Sequence, residues 1–116
     1  MANEFANAQK VGVTTVQTVY TAAAGKTCIM LELDIANTTS AVVEASVQIF
    51  DTSATTSAYI VKNAPVPAGG SLMVIAGQKI VLEAGSGATG DEILVTSSSS
   101  SASLDVVAAI LEDVNP

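Results

Sequence analysis

Ile29-Met30-Leu31-Glu32-Leu33-Asp34-Ile35 places apolar residues at 29, 31, 33 and 35, with mostly polar ones between them. The same beat returns in Val43-Glu44-Ala45-Ser46-Val47-Gln48-Ile49, and again at Leu104, Val106, Ala108 and Ile110. A period of two buries one face of a strand and exposes the other, which predicts antiparallel β-structure. By that parity Cys28 falls opposite Ile29 and Ile35, alongside Met30, as a small half-buried thiol.

Working outward, turn signals divide the rest of the chain into about eight strands and no helix. Val13 to Tyr20 is the first expected strand, and Ala24-Gly25-Lys26 turns into a long one from Thr27 to Ala36. Asn37 to Ser40 turns into a return strand, Ala41 to Asp51, and Ala58 to Lys62 follows a polar stretch. Pro65 and Pro67 cannot donate to a ladder, so Asn63 to Gly70 is expected as a connection or corner and not as a central strand. Ser71 to Ala76, Lys79 to Glu83, Asp91 to Ser97 and Ala102 to Asp113 complete the set, with Ser98 to Ser101 as a serine hairpin loop. Residues 1–12 show no period and are expected to form a flexible N-terminal arm. The spacing predicts a single antiparallel β-sandwich, jelly-roll-like, over residues 13–116.

The bulk numbers suit this class. A chain of 116 residues fits one domain, and a hydrophobic content of 49% supplies a core without staples. Two Phe, two Tyr and no Trp leave Val, Ile, Leu and Ala to build it. Four lysines against eleven acidic residues give a formal charge of −7. Lys10, Lys26, Lys62 and Lys79 are scattered, so neither a nucleic acid nor an anionic membrane is an expected partner. Cys28 has no second cysteine to pair with. The start of the chain lacks the pattern of a signal peptide, and no window reaches 18 apolar residues. A protein made and soluble in the cytosol is therefore expected.

The chain has no His and no Arg, and no Ser-x-x-Lys arrangement that would give a serine its base. Paired carboxylates could hydrolyse glycosides, but such clefts usually carry aromatic platforms, and this chain has no Trp. No enzyme activity and no cofactor are expected. Gly85-Ser86-Gly87-Ala88-Thr89-Gly90 spells the dinucleotide fingerprint, yet Asp91-Glu92-Ile93-Leu94-Val95 follows it with strand alternation where a helix is required. A flexible loop is the expectation there. Glu83, Asp91 and Glu92 flank it, and a calcium site needs about six to eight oxygens at a bend. Their spacing matches no calcium loop, so no metal is expected and the three are read as solvated charges. Asn37-Thr38-Thr39 is formally a glycosylation sequon but is better read as a turn.

The last strand is apolar on both sides. With Leu104, Val106, Ala108 and Ile110 inward, Val107, Ala109 and Leu111 point the other way, and uncovered apolar patches mark interfaces. Those three are the expected oligomer interface, and Phe5 in the arm is the expected anchor on a larger assembly.

Asn63-Ala64-Pro65-Val66-Pro67-Ala68-Gly69-Gly70-Ser71-Leu72, followed by Lys79-Ile80-Val81-Leu82-Glu83-Ala84-Gly85, resembles small structural proteins of tailed bacteriophages, especially cyanophages. In those sequences a segment like Val19-Tyr20-Thr21-Ala22 precedes a Gly-Lys turn, here Gly25-Lys26. A segment like Ile35-Ala36-Asn37-Thr38-Thr39 ends the next strand, and one like Tyr59 to Lys62 precedes the proline corner. The similarity covers most of residues 13–112. One departure is Ser86 to Gly90, inserted before Asp91 where the family runs almost directly from Leu-Glu-Ala-Gly into Asp-x-Ile. The resemblance implies a virion protein, made in the host cytoplasm, that acts as a homotrimeric cement or decoration protein on the capsid. Its partners would be the major capsid protein or other virion proteins, met by Phe5 and by the charges of Glu83, Asp91 and Glu92. A head-to-tail adaptor or tail component is the alternative. A carbohydrate-binding module built on Tyr20, Tyr59 and the acidic loop is a second.

Overall fold

Asp51 starts the turn on which the fold is hung. Its Oδ1 accepts hydrogen bonds from the amide and hydroxyl of Ser53 at 3.0 and 2.7 Å and from the Ala54 amide at 3.3 Å. Thr55 then takes a positive φ of 54°, and the chain reverses. The computed structural model describes residues 3–85 and 90–114. In them the turn joins β4 (Val43–Asp51) to β5 (Thr56–Val66), which pair antiparallel.

From that tip the chain is a folded ribbon. β3 (Thr27–Asn37) pairs with β6 (Ser71–Glu83), β2 (Gln17–Thr21) with β7 (Glu92–Ser97), and β1 (Glu4–Val13) with β8 (Leu104–Glu112). Further pairing of β3 with β8 and of β4 with β7 closes two four-stranded sheets. Sheet I has the order β1-β8-β3-β6 and sheet II the order β2-β7-β4-β5. This is an antiparallel β-sandwich with the wound-ribbon strand order of a jelly roll. Between the sheets lie Met30, Leu33, Ile35, Val47, Ile75, Leu82, Ile93, Val95, Leu104 and Ile110, each at most 1% exposed. Burying a side chain of that size stabilises the fold by roughly 1.5–3 kcal/mol.

The number of strands agrees with expectation through two offsetting differences. Residues 4–12, expected within a flexible arm, instead form most of strand β1 along the edge of sheet I. Its inward residues are Ala6, Ala8 and Lys10, too small or too polar to show a hydrophobic period. The expected strand from Val13 to Tyr20 is divided, its first residue closing β1 and Gln17 opening β2. The two strands expected over 71–83 are one, interrupted by a bulge in which Gly77 and Lys79 have φ of 101° and 65°. Beyond the expected end at Lys62, β5 continues through Pro65 to Val66. It is the edge of sheet II, where a missing N–H leaves no partner unsatisfied.

Two turns also differ in role. Asn37 to Ser40 and Ser98 to Ser101 were expected to join paired strands, but each carries the chain from one sheet to the other. Asn37 governs the first crossing. Only 2% exposed, it donates from Nδ2 to the carbonyls of Ala41 and Val66 at 2.8 and 2.9 Å and accepts from the Thr39 amide at 2.9 Å. The sequon is thus a structural turn, its amide engaged inside the fold.

Candidate functional site

Leu31 shifts the parity of the stretch that decides the fold. It is an extra residue in β3, between Met30 and Glu32, which pair with the adjacent Ile110 and Ala109 of β8. Below the bulge the alternation is therefore reversed. Cys28 and Met30, expected opposite the core, are inside at 1% and 0% exposure. Ile29 and Leu31, expected inside, face outward and are only half-buried. Above it, Leu33 and Ile35 are buried as the period predicts.

The consequence is an apolar row across the outer face of sheet I. Phe5 pairs with Leu111, Leu111 with Ile29, and Ile29 with Val81, so one line of side chains spans all four strands. Phe5 is 81% exposed and Val81 is 50% exposed. A second row, Gln9, Val107, Asp34 and Met73, crosses the same face. Between them lies Asn7, Ala109, Glu32 and Ala76. The residues expected to serve two separate contacts, Val107, Ala109 and Leu111 on one hand and Phe5 on the other, thus share one surface. Sequence reasoning missed Ile29, Leu31, Met73 and Val81, and the signal for the first two was hidden by the bulge.

Asp34 stands within this apolar setting, flanked by Val107 and Met73. Its Oδ1 is buried, and no donor among the described residues reaches it. Asp105 on the same face is engaged, accepting from the Gly12 amide at 2.9 Å. No lysine stands in any of the three rows. Lys26 pairs with Asp113 at 3.1 Å, Lys62 sits 5.1 Å from the centre of the Tyr59 ring on sheet II, and Lys79 donates back to the Gly77 carbonyl at 3.3 Å. Lys10 pairs with buried Val106 and shares its inward parity.

The acidic residues at the glycine-rich loop do not act together. Asp91 is only 7% exposed. Its Oδ1 accepts from the amide and hydroxyl of Thr52 at 3.1 and 3.3 Å, and Oδ2 from the Glu83 amide at 3.1 Å. Glu92 accepts from the Thr18 hydroxyl at 3.1 Å, while Glu83 is exposed. Asp91 is thus a buried strut, contrary to its expected solvated state, with a backbone or hydroxyl donor on each carboxylate oxygen. Residues 86–89, which make up most of the expected insertion and of the dinucleotide-like run, lie outside the described residues.

The two tyrosines are on opposite edges of sheet II. Tyr20 reaches across to sheet I, where its hydroxyl meets the Glu112 carboxylate and, at 3.4 Å, the Cys28 thiol. Burial first, and then those two hydrogen-bond partners, push its pKa well above the ordinary tyrosine range, so it remains a protonated donor. Glu4, Lys26 and Asp113 complete a cleft of about 160 Å³ over this group. Tyr59 is 52% exposed on the other edge, so the expected carbohydrate platform of two tyrosines is not assembled.

No protein-family model matches the sequence, and no curated protein matches it. Among solved structures, a chain from "Structure of infectious bursal disease virus Gt strain" aligns at 11% identity with a TM-score of 0.48, covering 97% of this chain and 30% of that one. A chain from "Structure of infectious bursal disease virus Gx strain" aligns at 12% identity with a TM-score of 0.44, covering 97% and 35%. This chain therefore spans about a third of the length of the solved chains it matches. Likenesses of this degree carry no functional weight.

Proposed function

We propose that this chain is a structural component of a virus particle, a cement or decoration protein of a tailed phage head, bound to the shell through the outer face of sheet I. The observation that carries this is the apolar row Phe5-Leu111-Ile29-Val81, left uncovered by the described residues across a sheet whose other face forms the core. A face of four strands, roughly 20 Å by 30 Å, approaches the roughly 800 Å² that each partner contributes to a standard interface. The resemblance of most of residues 13–112 to small phage structural proteins supports the same assignment.

The work done is mechanical. Each contact raises the cost of separating shell subunits, and many symmetric copies multiply a modest affinity. Copy number in purified virions, measured by quantitative mass spectrometry against the major shell protein, tests this. A ratio near one to one, or near the number of three-fold positions, is expected. A few per cent would move the chain to the neck or tail, and absence from the particle would overturn the assignment.

A further inference from the structure

The outer face of sheet I is mixed in a particular way. Its apolar side chains are interrupted by Glu32, Asp34 and, at the end of β6, Glu83, with no lysine in its rows. A second copy laid face to face would bring carboxylates towards carboxylates on a chain already carrying −7. Meanwhile Asp34 Oδ1 lacks a donor among the described residues, and leaving a buried carboxylate oxygen unpaired is costly.

We propose that this face docks a different protein, a shell surface that places one lysine or arginine among apolar side chains, and that Asp34 receives that cation between Val107 and Met73. This rests on the chain being a particle component and adds the chemistry of its partner. Phe5, exposed at one corner, supplies apolar area, and Asp34 fixes register. A charged group in an apolar surround discriminates strongly, because any partner lacking the cation leaves the carboxylate unpaired on desolvation.

Particles produced without this chain, incubated with the purified full-length protein and sedimented, provide the test. Asp34→Asn keeps the shape and removes the charge, and Val107→Glu places a charge in the second row. Tyr59→Ala alters the opposite sheet. All are first checked for native melting. Wild type and Tyr59→Ala are expected to bind alike. Asp34→Asn should bind about tenfold to a hundredfold more weakly, and Val107→Glu should not bind measurably. Equal binding by Asp34→Asn and wild type would overturn the cation. Loss with Tyr59→Ala but not Val107→Glu would overturn the face. Sedimentation of the isolated chain as a dimer that Val107→Glu dissolves would show a second copy as the occupant, and overturn the proposal. If wild type itself fails to bind the particles, the assignment as a particle component falls first and takes this inference with it.

Discussion

Asp91 and Asp34 are the same residue type in the same sandwich, and their surroundings are opposites. Around Asp91, three donors from two other segments converge on one carboxylate, and its backbone also bonds to Glu83 and Ala22. Around Asp34 the neighbours are Val107 and Met73, and one oxygen is left without a donor. A buried carboxylate with a donor on each oxygen is architecture. One left open on an apolar sheet face is an invitation. On the proposed reading, the molecule spends its charge on itself in the first region and holds it for a partner in the second.

That contrast can be broken by substitution. The largest effect should come from the Asp91 corner, at Gly90. A Cβ there would lie 2.2 Å from the Ala22 carbonyl oxygen and 2.7 and 2.8 Å from the side chains of Ala22 and Ala84. Backbone cannot move aside cheaply, so Gly90→Ala should cost about 3 kcal/mol in urea denaturation. Asp91→Ala comes next, at about 2–3 kcal/mol, because it strands the Thr52 and Glu83 amides. A loss below about 0.5 kcal/mol would make the strut decorative.

At the other region the sign should reverse. Asp34→Val replaces a half-satisfied carboxylate by a strand-forming side chain and should raise stability by about 1 kcal/mol while abolishing particle binding. A destabilised Asp34→Val would mean that the carboxylate serves the fold. The smallest effect belongs to Asp51 in the ribbon-tip turn. The Ser53 hydroxyl, followed by the Ala54 amide, holds its pKa below the usual carboxylate range. Its contribution is thus complete above the unfolded value of about 3.9 and lost as pH falls through the lower folded value. Asp51→Asn should flatten that part of the acid titration of stability by removing a small contribution at neutral pH, and leave the value at low pH unchanged.

Strands β3, β4 and β8 were legible because their inward residues are large and their alternation is mostly unbroken. Strand β1 was not, since Ala6, Ala8 and Lys10 bring it to the core without bulk. The candidate surface was half legible. Val107, Ala109 and Leu111 follow from a strand apolar on both sides, but Ile29 and Leu31 depend on one extra residue whose position no local pattern marks. In the sequence Asp34 is only one polar residue of an alternating strand, which would place it on the solvent face. Only the packing of Val107 and Met73 on either side shows that its carboxylate is partly buried there, and those contacts join residues far apart in the chain.

The wound ribbon also sets a timetable. Glu4 pairs with Glu112, about a hundred residues later, so β1 cannot find its place until β8 has been made. At roughly 5–20 residues per second, that is a wait of about 5–20 s on each new chain. Contacts so distant in sequence form late, and pulsed hydrogen exchange during refolding should show the amides of Ala6 and Ala8 protected after those of β4 and β5. The small inward residues that hide β1 from a hydrophobic scan give the waiting segment little to aggregate with. Newly made chains can therefore hold an unpaired first strand in a crowded cell until its partner arrives.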